Sequence, residues 1–159
     1  MSRIYWDTML FVYWLEDHPQ YASRVQEIHE KMERRGDSLC TSVFTLGELL
    51  VGPCKTKDAE MSQGILEYFK TSAVELLPFD AQVAERYAQI RAENNISPAD
   101  AIHLATAAQA EVHLFLTNDQ RLHRLNIPGI HFISARKKIE RRFFFVFGNN
   151  NNLIVVRVN

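Results

Sequence analysis

The sequence predicts an α/β domain in which helices cover both faces of a mainly parallel β-sheet. Three observations support this class. Short apolar runs typical of strands alternate along the chain with helical patterns. The length of 159 residues suits one compact domain, and 47% hydrophobic with 23% charged residues is ordinary for a globular protein. Because parallel strands need right-handed crossover connections, this alternation places helices on both faces of the sheet.

In the first half of the chain, two strands are each followed by helices. Ile4-Tyr5-Trp6 is β-prone, and a helix is predicted from Met9 to Leu15. Apolar side chains then recur at helical spacing from position 21, with Gly36 as the stop signal. A second strand is predicted at 38–42, followed by a short apolar helix that reaches Gly52-Pro53.

The second half of the chain repeats this alternation. A helix over 57–71 carries Gly64 in its interior, Asp80 can cap the next helix, and Ser97-Pro98 opens an Ala-rich helix through Ala110. A short helix ends at Leu125. The remaining strands are predicted at 74–77, 112–116 and 130–133. The two halves together give five strands, with helices between them.

The C-terminal segment has a different composition. Residues 136–142 form a basic cluster, 143–147 are apolar, and an Asn-rich stretch precedes a second apolar run from 153. Such a pattern is typical of an edge strand or an aggregation-prone segment rather than of an α/β core. We therefore expect one domain over 1–135 and a separate tail over 136–159.

Composition excludes several classes of protein. A net charge of -1 excludes binding of nucleic acid by bulk positive charge, so any polyanion contact needs a local cluster or a bound metal. Two cysteines cannot build a disulfide framework, and no Cys/His cluster has zinc spacing. No apolar stretch approaches the roughly 20 residues that span a bilayer, and the N-terminus lacks a signal-peptide cleavage region. We expect a cytoplasmic protein with no membrane association.

Four carboxylates fall where the predicted fold would bring them together. Asp7 follows the first strand, Glu48 lies in the helix after the second, Asp100 opens the Ala-rich helix, and Asp119 follows the fourth strand. Each has an ordinary explanation as a helix cap, a capping box or a turn, except Glu48. Its helix is apolar on nearly every side, which indicates burial and therefore a partner or an aqueous cleft for the acid.

The four acids are more informative together than singly. Ligands of parallel α/β folds bind beyond the carboxyl ends of the strands. Several carboxylates at that edge repel one another unless a cation compensates, and hard oxygen ligands favour Mg²⁺ or Mn²⁺. Such a site suits hydrolytic phosphoryl chemistry.

Four segments of the chain resemble the PIN domain family, and most closely its VapC-like toxins. The resemblance covers roughly residues 3–135. The matching segments are Ile4-Tyr5-Trp6-Asp7-Thr8, the stretch from Thr41 to Pro53 that contains Glu48, the stretch from Ser97 to Ala107 that contains Asp100, and Leu116-Thr117-Asn118-Asp119. Their order and spacing carry more weight than any one short segment.

The resemblance implies a three-layer α/β/α sandwich that binds Mg²⁺ or Mn²⁺ and hydrolyses RNA phosphodiester bonds. Asp7, Glu48, Asp100 and Asp119 occupy the acidic catalytic positions of the family. Asp7 and Asp100 would be direct metal ligands, and Glu48 and Asp119 would complete the site directly or through water. The resemblance also implies a cognate antitoxin protein and frequent homodimers. Met9 stands where the family commonly has Asn, which removes one polar contact near the cleft.

Other residues and functions stay open at this point. His103, three residues after Asp100, can assist proton transfer, but a packed and hydrogen-bonded ring is favoured. Arg121 and Arg124 can meet RNA phosphates or belong to a solvated face. A haloacid-dehalogenase-like phosphohydrolase would need a second acid two residues after Asp7, where Met9 stands. A non-toxin RNA-processing nuclease and a non-catalytic binding module with an acidic cleft remain as alternatives.

Overall fold

The computed structural model describes residues 1–135 and, beyond them, the backbone of two strands at 143–147 and 153–157. Five parallel strands form one sheet in the order β3-β2-β1-β4-β5. Their bounds are Arg3–Trp6 (β1), Ser38–Ser42 (β2), Glu75–Leu77 (β3), Leu114–Thr117 (β4) and Phe132–Ala135 (β5). The first strand is therefore the central one, with β2 and β4 as its neighbours.

Helices cover both faces of this sheet. They are Thr8–Leu15 (α1), Ala22–Arg35 (α2), Val43–Thr56 (α3), Ala59–Thr71 (α4), Ala81–Glu93 (α5) and Pro98–Gln109 (α6), with a 3₁₀ turn at Leu122–Arg124. Tyr5 packs into a cluster that contains residues of α5 and α6, whereas Ile4 and Trp6 pack into a second cluster with α1, α2 and α4. Since successive side chains of a strand point to opposite faces, the two clusters lie on opposite sides of the sheet. The predicted three-layer α/β/α sandwich is confirmed.

Several element boundaries differ from the predicted ones, including β4 at Leu114–Thr117 instead of 112–116, and two of the differences have a local explanation. The last strand of the sheet begins at Phe132 rather than at position 130, because Ile130 donates its backbone N–H to Ile127 in a turn. The third helix continues past Pro53 to Thr56, whose hydroxyl donates to the carbonyl oxygens of Gly52 and Pro53. Pro53 has no backbone N–H to donate to Leu49, so it weakens α3 close to the point where the helix ends at Thr56.

The expectation that the apolar helix around Glu48 is buried is wrong in part. Val43 and Val51 of α3 are 42% and 49% exposed, although Thr45 on the same helix is fully buried. The helix contacts α4, α1 and β2, and its Val43 and Val51 stay exposed. Burial of an apolar helix depends on a tertiary partner, and within the described residues α3 has none for its outer face.

The tail forms a separate pair of strands. Phe143–Phe147 (β6) pairs antiparallel with Leu153–Arg157 (β7). The basic cluster at 136–142 lies outside the described residues, so the division of the chain at 135 stays a prediction. Among the described residues, no helix has the length and apolar character that a bilayer span requires.

Candidate active site

The four acids lie in one connected set of contacts at the carboxyl edge of the sheet. Thr117, the last residue of β4, contacts both Asp7 and Asp119. Arg121 lies between Asp119 and Asp100, and His103 lies near both Asp7 and Glu48. Strand ends that are adjacent in a parallel sheet bring the residues that follow them together, as the positions in the sequence predict.

Asp7 is the buried acid of the site. It caps the N-terminus of α1, where Oδ1 accepts the backbone N–H of Thr8 at 2.6 Å. Oδ2 accepts the hydroxyl of Thr117 at 2.7 Å. Burial raises the pKa of Asp7 above its ordinary value, although the electrostatic interaction with His103 and these two hydrogen bonds oppose the rise. Asp7 is therefore a helix cap, as its sequence position predicts, and the capping bond also fixes the orientation of its carboxylate.

Glu48 reaches the same edge from the second turn of α3. Its Oε2 accepts hydrogen bonds from Nε2 of His103 at 2.8 Å and from the hydroxyl of Thr8. The side chain is 31% exposed, so it borders the solvent. Partial burial opposes ionisation of Glu48, yet the bonds from His103 and Thr8 outweigh it and lower its pKa. At neutral pH we expect a carboxylate here.

Asp100 completes the predicted capping box of α6. The hydroxyl of Ser97 accepts the backbone N–H of Asp100 at 3.1 Å and donates to its Oδ2 at 2.7 Å. The same Oδ2 lies 3.9 Å from Nη2 of Arg121. Asp100 also contributes to the raised pKa of Asp7, which indicates that the two negative charges interact.

Asp119 makes the shortest ion pair of the group, with Arg121. Nε of Arg121 donates to both carboxylate oxygens, at 3.1 and 3.0 Å, and this contact lowers the pKa of Asp119. The backbone N–H of Asp119 donates to Thr117 at 3.0 Å, which is the turn chemistry that the sequence predicts. Arg121 thus supplies a positive charge between two of the acids.

Two residues of the site were not singled out from the sequence. The hydroxyl of Thr8 joins Glu48 to the start of α1, and Tyr5 supports His103 from inside the sheet. Thr8 could have been identified from the sequence, because its hydroxyl directly follows the candidate acid Asp7. Tyr5 carries no such signal, because its position in an apolar strand indicates only a core residue.

The chemistry of these residues fits a divalent cation. Within the described part of the chain, no group of three or more His, Cys, Asp or Glu side chains is arranged so that it could hold a metal ion. Magnesium, however, commonly uses only one or two protein carboxylates and retains several waters. Carboxylate oxygens are the hard donors that Mg²⁺ and Mn²⁺ prefer, and several lie at this edge of the sheet. Arg121 now supplies the positive charge next to two of them, Asp100 and Asp119.

Comparisons with known proteins agree with this fold. The chain is 27% identical over 135 residues to a protein of Salmonella typhimurium named tRNA(fMet)-specific endonuclease VapC, a match that covers 82% of this chain and 96% of that protein. The structure of VapBC2 from Rickettsia felis, bound to a DNA fragment from their promoter, superposes with a TM-score of 0.65 at 23% identity, covering 84% and 98% of the two chains.

A toxin–antitoxin complex from Klebsiella pneumoniae superposes with a TM-score of 0.58 at 21% identity, over 80% of this chain and 94% of that one. At such identities the two structures show the fold alone. The family model described as "PIN domain" matches residues 4–128, which is most of the chain and includes all four acids. This protein belongs to the PIN domain family.

Proposed function

We propose that this protein is an Mg²⁺- or Mn²⁺-dependent endoribonuclease and the toxin of a toxin–antitoxin pair. The observation that carries the proposal is the convergence of Asp7, Glu48, Asp100 and Asp119 at one edge of the sheet. Family membership supports the nuclease, and the VapC relative supports the toxin.

Asp7 and Asp100 are the proposed direct ligands of the cation. Asp7 is held by Thr8 and Thr117, so its carboxylate is already oriented. Asp100 is held by Ser97 at the start of α6. Glu48 and Asp119 complete the site directly or through water. A bound divalent ion supplies neutralisation of phosphodiester charge and acidification of water.

The proposed substrate is RNA. Water adds to phosphorus and the 3′-oxygen leaves, so the products carry a 5′-phosphate and a 3′-hydroxyl. Arg121 pairs with Asp119 and Arg124 follows in the 3₁₀ turn, and we expect their positive charges to attract phosphate. Because a relative is named a tRNA(fMet)-specific endonuclease, a tRNA is the first RNA to test.

An antitoxin protein and a second copy of the chain are the proposed partners, in the cytoplasm. The toxin–antitoxin complexes among the structural relatives support the first. Four large hydrophobic side chains exposed on α3 and α4 favour a surface that a partner covers. They are Val43, Val51, Met61 and Leu66. Mass determination of the purified protein in solution tests the dimer.

Cleavage of RNA by the purified protein tests the nuclease. The assay compares chelator, Mg²⁺ and Mn²⁺, and includes Asp7→Asn and Asp100→Asn. We expect cleavage only with metal, and a loss of at least about 100-fold in each variant, because even the loss of a residue that supports a metal ligand costs 10–100-fold. Circular dichroism checks that the variants are folded.

Full activity in both folded variants would contradict the assignment of the site. Binding of RNA without cleavage under every metal condition would favour the acidic-cleft binding module instead. Metal-dependent cleavage by a protein that has no copurifying small protein and no adjacent short reading frame would favour a solitary RNA-processing nuclease.

A further inference from the structure

A chain of hydrogen bonds runs from the interior of the sheet to Glu48. His103 of α6 is 3% exposed, and its ring lies between two partners. Nδ1 lies 2.8 Å from the hydroxyl of Tyr5, and Nε2 lies 2.8 Å from Oε2 of Glu48. Tyr5 itself is fully buried in the central strand. Both ring nitrogens of this buried histidine therefore have a partner, as the cost of burying an unpaired polar atom requires.

The direction of each hydrogen bond follows from the chemistry of the partners. The backbone N–H of Ser42 donates to the Tyr5 oxygen at 3.1 Å, which leaves the phenol proton for His103. A carboxylate can only accept, so Nε2 of His103 must carry the proton that Glu48 receives. In a neutral ring Nδ1 is then the acceptor, and the Tyr5 hydroxyl supplies its donor.

We infer that Tyr5 and His103 are positioning residues that hold the Glu48 carboxylate at the acidic edge. Tyr5 fixes the ring of His103 in the Nε2–H form, and Nε2–H holds Oε2 of Glu48. The described bonds from His103 and Thr8 both reach Oε2, so Oε1 would be the oxygen that faces a bound cation, directly or through water. Supporting residues of this kind orient metal ligands. The inference rests on the proposed function, because the proposed function supplies the divalent cation near which Glu48 would be held.

Packing alone is the competing explanation for His103. Phe44 contacts the ring edge-on at a centroid distance of 5.4 Å, and Tyr5 does so at 6.0 Å. Packing would be satisfied by any ring of similar size and would set no protonation pattern. The two explanations therefore make different predictions. They differ in which ring nitrogen of His103 carries the proton, and in whether replacement of His103 by Phe weakens metal binding.

Nitrogen-resolved NMR of the metal-free protein tests the first difference. We expect His103 to be protonated at Nε2 and unprotonated at Nδ1. In Tyr5→Phe, which keeps the ring and removes the hydroxyl, we expect this preference to weaken. Tyr68→Phe removes a half-buried hydroxyl on α4 and is expected to leave the His103 signals unchanged. A native protein with His103 protonated at Nδ1 would overturn the inference.

Calorimetric titration with Mn²⁺ tests the second difference. Tyr5→Phe and His103→Phe are each expected to weaken Mn²⁺ binding by about 10-fold. His103→Gln keeps a side-chain amide donor for Glu48 and is expected to lose less than His103→Phe. Thermal unfolding checks that each variant is folded.

The outcomes separate the inference from the proposed function. If the native protein binds Mn²⁺ and cleaves RNA while Tyr5→Phe and His103→Phe bind Mn²⁺ equally well, the positioning role is overturned and the nuclease stands. If the native protein neither binds Mn²⁺ nor cleaves RNA, the proposed function fails and the inference fails with it.

Discussion

The two edges of the sheet use charge in different ways. At the amino edge, Glu75 pairs with Arg3 at 2.6 Å, and an oxygen of Asp37 lies 3.0 Å from Nε of Arg35. The other oxygen of Asp37 accepts the backbone N–H of Ser2. At the carboxyl edge, Arg121 is the single Lys or Arg of residues 1–135 that pairs with any of the four acids.

Under the proposed function, this difference separates an edge that stabilises the fold from an edge that binds metal and RNA. Charges at the amino edge are matched, and they tie the starts of strands to one another. Charges at the carboxyl edge are unbalanced, and their repulsion is a cost to the folded chain that a bound cation would remove. Substitutions at the amino edge should therefore change stability, and those at the carboxyl edge should change metal binding and cleavage.

The largest effect on stability is expected for Gly129→Ala. Gly129 precedes β5 with φ of +95°, and a Cβ there would lie 2.3 Å from the carbonyl oxygen of Ala108. We expect a loss of at least about 2 kcal/mol in the free energy of unfolding, measured by denaturant titration. Gly64→Ala, in an exposed helix interior with open space, is the control and should gain about 0.5–1 kcal/mol. An unchanged midpoint for Gly129→Ala would contradict this account.

Thr117→Val should affect both stability and the site. The change keeps the shape but leaves Oδ2 of Asp7 and the N–H of Asp119 without their partner. We expect a loss of about 1–3 kcal/mol in unfolding free energy and weaker Mn²⁺ binding. Thr106→Val is the matched control, since that buried hydroxyl donates only to the Ile102 carbonyl of its own helix. Equal effects of the two substitutions on Mn²⁺ binding would argue against a role for Thr117 at the site.

Arg121→Ala should strengthen metal binding. Removing the guanidinium leaves Asp119 and Asp100 without their counter-charge, so the pKa of Asp119 rises toward its ordinary value. Because the pair is solvent-exposed, we expect only a few-fold gain in Mn²⁺ affinity by calorimetry. Lys70→Ala, which removes a cation paired with Glu67 on α4, should leave the affinity unchanged. Weaker Mn²⁺ binding in Arg121→Ala would show that Arg121 supports the site instead.

The smallest effect is a pH dependence at the amino edge. Nδ1 of His113 accepts the backbone N–H of Arg3, and burial, His131 and the N-terminal amine lower the pKa of His113, against the opposing charge of Asp37. The unfolded chain therefore binds the proton more readily, and stability should fall as pH drops below about 6.5. His113→Asn, which keeps an acceptor but cannot titrate, should make the unfolding free energy less dependent on pH. An identical slope in the variant would assign the effect to other groups.

The sequence predicted the strands of the sheet and the positions of the four acids at strand and helix ends, because both depend on local patterns. Asp7 directly follows an apolar run, Asp119 follows one after Thr117-Asn118, and Asp100 follows a Ser-Pro helix start, so the sequence predicts their places at strand and helix ends. The contact between Tyr5 and His103 spans 98 residues, and that between Glu48 and His103 spans 55. Periodicity carries no information on such pairs, which are set by tertiary packing. The outer face of α3 was mispredicted for the same reason.

Titration of Mn²⁺ into the metal-free protein at near-neutral pH tests the central claim most directly. The claim is that Asp7 and Asp100 hold a divalent cation at the carboxyl edge, with Glu48 and Asp119 completing the site directly or through water. Native protein and Glu75→Gln, a change at the amino edge, should bind Mn²⁺ alike, whereas Asp7→Asn and Asp100→Asn should lose the binding. An absence of binding by the native protein, or an equal loss in Glu75→Gln, would contradict the claim.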